Sequence, residues 1–217
     1  MQLNIITPLH QSTSREYLDR MNDDKVHCMK VAREYGSDYW DGNRRYGYGG
    51  YHYIPGWWLP VAKELIKHFG LTNKSRILDV GCGKAYLLYE LKQLLPKLEI
   101  SGFDKSEFGL SKAKDGIKEN LFIHSADQSF PFSANEFDLG ISLGCLHNLA
   151  LPGLEVALSE LNRVTRQAYV MVESYRNIEE LFNLQCWALT AETFLSPDEW
   201  KWVFDNCGYK GDYEFIY

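Results

Sequence analysis

The chain has 217 residues, of which 45% are hydrophobic and 24% charged; that length can bury one full core, and no apolar run approaches the roughly 20 residues that span a bilayer. Its net charge is −6 with no lysine/arginine block, which argues against a nucleic-acid surface and favours a small-molecule partner. Five cysteines, Cys28, Cys82, Cys145, Cys186 and Cys207, show no CxxC spacing, so a disulfide framework or a zinc site is not expected and a reduced, cytoplasmic setting is.

The first residues lack the basic-then-apolar pattern of a secretory signal. Up to Tyr35 the pattern predicts short helices: Ser14 is placed to cap a segment with Leu18 and Met21, and Asp23 or Asp24 another with Val26, Met29 and Ala32. Residues 36–56 hold six glycines and Pro55 among many aromatics, which reads as an ordered but irregular loop. Together residues 1–56 are expected to form a helical and aromatic cover rather than an independent domain. Residues 57–217 are expected to form the main domain. It opens with Trp58, Val61, Ala62, Leu65, Ile66 and Phe69 at helical spacing, Pro60 in the first turn and Gly70 as the stop.

From there strands and helices alternate. Strand 77–80 leads to helix 84–95, strand 99–104 to helix 107–119, and strands 121–125 and 137–143 to helix 154–166. The near-continuous apolar strand 168–174 suits the buried centre of a parallel sheet. Residues 185–194 read as a strand, helix 197–207 begins with Ser196 as cap and Pro197 in its first turn, and 211–217 reads as the last strand. The expected fold is α/β, a doubly wound Rossmann-like sheet of about seven strands. It is mostly parallel, with an antiparallel addition at the C-terminal edge.

The segment Arg76 to Tyr86, RILDVGCGKAY, carries Asp79 into a glycine turn at Gly81 and Gly83, where the absence of a β-carbon lets the backbone approach a ligand. Asp79, Asp104 and Asp127 fall at the carboxyl ends of three consecutive strands, the positions that line the ligand crevice of such a sheet. A carboxylate ending strand two accepts from both hydroxyls of a ribose. Asp104 fits that role, with a helix cap as the competing one. Asp127 fits an adenine amino group or a turn cap. Asp79 is suited to orient the turn and to meet an ammonium.

These motifs resemble class I S-adenosylmethionine-dependent methyltransferases over about residues 57–217: ILDVGCGKAYLLYEL resembles the family's first motif, GFDKS its ribose-binding acid, SADQSFPF its adenine-side motif and FDLGISLGCLHNL the strand and loop beside the reactive methyl. Ala85 departs from the family, many members of which have a third glycine there. The resemblance implies S-adenosyl-L-methionine as cofactor. It also implies that Asp79, Gly81, Cys82 and Gly83 contact it from the turn, Asp104 and Lys105 from strand two, Ala126, Asp127 and Gln128 on the adenine side and Leu143 beside the methyl.

Tyr35, Tyr39, Trp40, Tyr46, Tyr48, Tyr51, Tyr53, Trp57 and Trp58 crowd into 24 residues. Most are expected to pack, while Tyr46 and Tyr48 are expected to reach the cofactor from a lid. Arg44 and Arg45 suit a carboxylate or phosphate, the cofactor's own carboxylate included, or plain solvation. Transfer from the cofactor needs chiefly alignment of acceptor, methyl and sulfur, with a general base if the acceptor carries a proton. His147 is the expected base, with Glu173 and then Tyr175 as further substrate contacts. The expected activity is methyl transfer to oxygen or nitrogen of a small-molecule acceptor, without a metal or membrane partner, by a monomer or homodimer. A dinucleotide-dependent oxidoreductase and a non-catalytic scaffold are the alternatives. The first normally lacks an acid at Asp79's position.

Overall fold

The computed structural model describes residues 1–11 and 15–217. Ser14 lies outside the described residues. Short helices come first: α1 (Thr7–His10), α2 (Tyr17–Asn22), α3 (Lys25–Ala32) and α4 (Ser37–Trp40). α5 (Leu59–Phe69) carries Pro60 in its first turn and stops at Gly70, whose φ of 66° is left-handed. Then β1 (Arg76–Val80), α6 (Tyr86–Leu94), β2 (Glu99–Asp104), α7 (Glu107–Ser111), β3 (Leu121–Ile123) and β4 (Phe137–Leu143) follow. The chain continues through α8 (Leu151–Val164), β5 (Thr165–Glu173), α9 (Ile178–Trp187), α10 (Pro197–Asn206) and β6 (Asp212–Ile216).

The six strands form one sheet in the order β3-β2-β1-β4-β5-β6, and every pairing is parallel. Both faces are covered, and the strands alternate between them residue by residue. Ile77, Ile141, Tyr169 and Met171 pack with α5 and α6 residues Leu65, Leu88 and Leu91. Leu78, Val80, Val170 and Val172 turn the other way, onto Leu158 and Leu161 of α8 and Trp200 and Phe204 of α10. The strand order reverses between β1 and β4, so their carboxyl ends open a crevice there.

Two expectations are corrected. The seventh strand and the antiparallel edge are absent among the described residues: 185–194 is not a strand, and β6 pairs directly and in parallel with β5. The reason lies upstream. The Asn177 side chain accepts from the Glu180 amide, and Glu179 and Glu180 occupy the first turn. That cap starts a helix which runs through Gln185, Cys186 and Trp187 despite their β-forming neighbours. The second correction is shorter: helix 107–119 ends at Ser111, and Gly116 turns at φ 85°. α10 matches its expected start, with a capping box between Ser196 and Glu199. α3 follows Asp24, but neither Asp23 nor Asp24 supplies a side-chain cap: Asp24 is the N-cap residue at φ 42°, with no such bond.

The outer edge of β6 is covered by the chain's own first residues. Gln2 bridges Tyr213 in parallel, and the Leu3 amide donates to the Tyr213 carbonyl at 2.8 Å. The buried Glu214 carboxylate then accepts from the amides of Ile5 (2.6 Å), Ile6 (3.0 Å) and Thr7 (2.5 Å), and from the hydroxyls of Thr7 (2.7 Å) and Tyr169 (2.5 Å). Burial alone would push this carboxyl up, but those donors outweigh it and hold it below its ordinary range. Glu214→Ala is expected to cost about 3 kcal/mol in denaturant unfolding, since several buried donors lose one shared acceptor. Hydrogen exchange of residues 3–7 should accelerate in the same variant, and unchanged exchange there would refute the tether.

Candidate active site

The glycine turn after β1 is held from below and from the side. Gly81 and Gly83 sit at φ 77° and 57°, and the amides of Gly81 and Cys82 both donate to the Phe103 carbonyl, at 2.9 and 3.0 Å. A β-carbon on Gly81 would lie 2.3 Å from the Cys145 sulfur, and one on Gly83 would lie 2.6 Å from the Trp40 ring. The turn needs glycine for its backbone and for its neighbours.

Asp104, at the end of β2, joins the pieces. One carboxylate oxygen accepts from the Gly83 amide and the other from the Ser106 amide, each at 2.8 Å. Burial raises its pKa, and those two amides oppose the rise. Ser106 caps α7 by accepting from the Gly109 amide (2.9 Å), receives the Trp40 indole N–H (2.8 Å) and donates to the Tyr35 carbonyl (2.5 Å). The two roles that competed in the sequence are thus divided: Ser106 caps, and Asp104 links turn to cap. Each carboxylate oxygen keeps capacity for a further donor.

The cleft at the switch point encloses about 640 Å³, part of it open to solvent. Of the predicted cofactor residues, Gly81, Asp104, Lys105, Ala126, Leu143 and Tyr48 line it. Asp79, Cys82 and Gly83 do not line it, and Asp79 and Gly83 are buried. Asp127 and Gln128 are exposed outside it. Tyr46 turns instead to His27, with ring centres 5.7 Å apart. The lid contributes more than was read from the sequence, because Tyr35, Tyr39 and Trp40 join Tyr48 in the wall and Trp40 stacks on Tyr48 at 5.2 Å. Lys84, next to the glycine turn and almost fully buried, fastens this lid by donating to Asp41 (2.5 Å) and to the Tyr51 carbonyl (2.7 Å).

One polar group was missed. The Asn148 side chain donates to the Gly144 carbonyl at 3.1 Å, and its own oxygen is buried in the cleft wall without a hydrogen-bond partner. A buried carbonyl oxygen lacking a donor is unfavourable, and a ligand amino or hydroxyl group would supply one. The only available signal was its place in the loop after β4.

His147 and Glu173 meet beside the cleft. The buried His147 Nδ1 accepts from the Glu173 amide at 3.2 Å, which puts its proton on Nε2, 3.6 Å from the Glu173 carboxylate. Burial pulls the His147 pKa down, with Glu173 opposing. Glu173 faces a second cavity, enclosing about 410 Å³ and lined also by Arg15, Ser174 and Trp187. Tyr175 lies at the surface and donates to Glu199 at 3.3 Å.

A parallel sheet in this order, with a glycine turn and a strand-end acid facing the switch point, defines a Rossmann-like fold that binds a nucleotide-type cofactor at the carboxyl ends of its strands. Residues 71–208 match the methyltransferase domain family, and the chain belongs to it. S-adenosylmethionine is the cofactor of this class, and the groups in the cleft suit it: a carboxylate for a ribose diol, an unpartnered amide oxygen for an amine and aromatic planes for a base. A malonyl-[acyl-carrier protein] O-methyltransferase of Legionella pneumophila is 39% identical over 92 residues, covering 41% of this chain and 32% of that protein. The chain spans between 28% and 55% of the length of the curated relatives it matches. In fold it is similar to an S-adenosylmethionine-dependent methyltransferase from Archaeoglobus fulgidus, with a TM-score of 0.55 and 19% identity over 69% of this chain and 68% of that one. It is also similar to a geranyl diphosphate methyltransferase solved with its diphosphate and sinefungin, with a TM-score of 0.53 and 16% identity over 67% and 57%.

Buried Asp79 carries a testable electrostatic signature. Burial, with Asp104 adding repulsion, pushes its carboxyl up to about 8. The folded chain therefore keeps a proton that the unfolded chain releases near pH 4, and this group's effect on stability becomes less favourable as pH rises from about 4 to about 8. Asp79→Asn removes that slope. Relative to the parent, the variant should gain about 3.5 kcal/mol between pH 5 and pH 8 in denaturant unfolding. A pH-independent difference would contradict the assignment.

Proposed function

We propose that this chain transfers the cofactor's methyl group to an oxygen or nitrogen of a small-molecule metabolite by in-line displacement. The observation that carries the reading is the juxtaposition of the Asp104 and Asn148 cleft with a carboxylate, Glu173, at the end of β5, the strand beside β4. When bound, S-adenosylmethionine supplies an electrophilic methyl: the acceptor's lone pair forms the new bond to carbon as the carbon–sulfur bond breaks and its electron pair stays on sulfur.

Asp104 accepts the ribose hydroxyls while still gripping the turn, and Asn148 accepts from an amino group. Lid aromatics exclude water from the cleft. Glu173 takes the acceptor's proton as the new bond forms. His147 is a positioning residue: neutral, enclosed and holding the Glu173 backbone on one side while facing its carboxylate on the other.

The acceptors named for relatives are as different as a malonyl group on a carrier protein and geranyl diphosphate, so family membership does not select one. Support for a small molecule comes from the second cavity, about 410 Å³ including space open to solvent, and from the acidic chain. The decisive experiment is a broad metabolite screen with methyl-labelled S-adenosylmethionine, alongside calorimetric titration with that cofactor and with NAD. Binding of NAD alone would overturn the reading; cofactor binding without transfer to any acceptor would indicate a scaffold.

Asp104→Ala should weaken S-adenosylmethionine binding by about 1–3 kcal/mol, read by calorimetry. With an acceptor in hand, Glu173→Gln should lower kcat by about 10²–10⁴ while the cofactor Kd stays put. An unchanged kcat would remove Glu173 as the base.

A further inference from the structure

Arg15, Arg20 and Arg44 gather around the indole of Trp187, the last residue of α9. Their guanidinium carbons lie 5.5, 4.4 and 4.9 Å from the ring centre. Among the described residues none of the three forms an ion pair, whereas their neighbours do: Arg45 meets Asp23 at 2.8 Å, and Arg176 is paired with Glu180. Arg20 donates to the carbonyls of Arg44 (3.0 Å) and Gly47 (3.2 Å), and its buried Nε has no partner. Arg44 donates to the Gly47 carbonyl at 2.5 Å, and Arg15 shares a hydrogen bond with His10 at 2.6 Å.

Three like charges are thus held together with a ring face as their common neighbour. A cation over an indole gains roughly 0.5–2 kcal/mol, which does not neutralise the mutual repulsion. Burial and then Arg44 pull the Arg20 pKa down to about 10, and burial and then Arg15 lower that of Arg44. Guanidinium groups in such an array match a carboxylate or phosphate, which accepts several N–H bonds at once and relieves the repulsion.

Their position gives the array its meaning. Arg15 and Trp187 line the same cavity as Glu173 and Ser174, at the carboxyl ends of β5 and β6. The cavity and the cofactor cleft are neighbours: Glu173 of the cavity wall donates its amide to His147 at 3.2 Å, and His147 precedes Asn148 of the cleft wall.

We infer that the second cavity is the acceptor site and that the acceptor is an anion, its carboxylate or phosphate held by Arg15 in the cavity wall with Arg20 and Arg44 adding positive charge around Trp187, and its reacting oxygen or nitrogen turned to Glu173. This inference rests on the methyl-transfer reading above. It divides the arginines differently from the expectation for Arg44 and Arg45, since Arg45 is spent on Asp23 and Arg44 acts with two residues distant in sequence.

The test uses the full chain saturated with S-adenosylhomocysteine and titrated calorimetrically with succinate, inorganic phosphate and uncharged succinamide. At least one anion should bind and succinamide should not. Arg20→Gln and Arg15→Gln should each weaken the anion by about tenfold or more, with S-adenosylmethionine affinity retained. Arg15→Gln is the control for folding, because Arg20 also braces the backbone of the lid. No anion binding by protein that binds S-adenosylmethionine, or anion binding indifferent to both substitutions, would overturn the inference. So would a parallel loss of S-adenosylmethionine affinity, which would assign the arginines to the cofactor's own carboxylate. Failure of S-adenosylmethionine to bind the parent protein would fall instead on the methyl-transfer reading.

Discussion

The carboxylate of Asp104 is the joint on which the site depends. Its two oxygens take the amides of Gly83 and Ser106, so the glycine turn after β1 and the start of α7 cannot move apart without exposing a buried charge. Ser106 extends the joint upward to Trp40 and the Tyr35 backbone. Floor and lid of the cleft are therefore one hydrogen-bonded unit. Loss of this carboxylate would loosen the cover as well as the glycine turn.

The lid has a second fastening of a different kind. Lys84 is carried into the interior by its place beside the glycine turn, and its ammonium is satisfied only by Asp41 and the Tyr51 carbonyl. A buried ammonium without those partners would be costly, so the irregular glycine-rich loop is pinned at this point. Aromatic contacts then fill the space: Trp40 packs on Tyr48, and Tyr51 on Tyr86 at 5.2 Å. An irregular backbone is in this way held by specific polar anchors and a stacked apolar layer.

Charge is distributed with the same logic. Two acids share the floor, where Asp79 is pushed towards the neutral form by burial and by Asp104. Three arginines share the far side beyond Glu173. A cofactor bearing an ammonium and a sulfonium suits the first region, and an anionic acceptor suits the second. Between them Glu173 and His147 form a pair in which burial favours the neutral imidazole.

Much of this was legible in the chain itself. Apolar runs and helical spacing located β1, β2, β4 and β5 and α5, α6, α8 and α10, because local propensity and the apolar pattern agree there. The glycine turn and Asp104 followed from motif spacing. What the sequence left open depends on partners distant along the chain. Residues 185–194 have β-forming character, yet the Asn177 cap and the packing of α9 against α2 make Gln185–Trp187 helical. That outcome puts Trp187 where Arg15, Arg20 and Arg44 converge. Asp79 and Asp127 looked equivalent as strand-end acids; tertiary packing buried one and exposed the other. His147 looked like the reacting base, and the fold enclosed it behind Glu173. Spacing along one strand or helix decides which residues share a face, but only the closed structure decides which charges meet, because electrostatics and burial depend on distance in space.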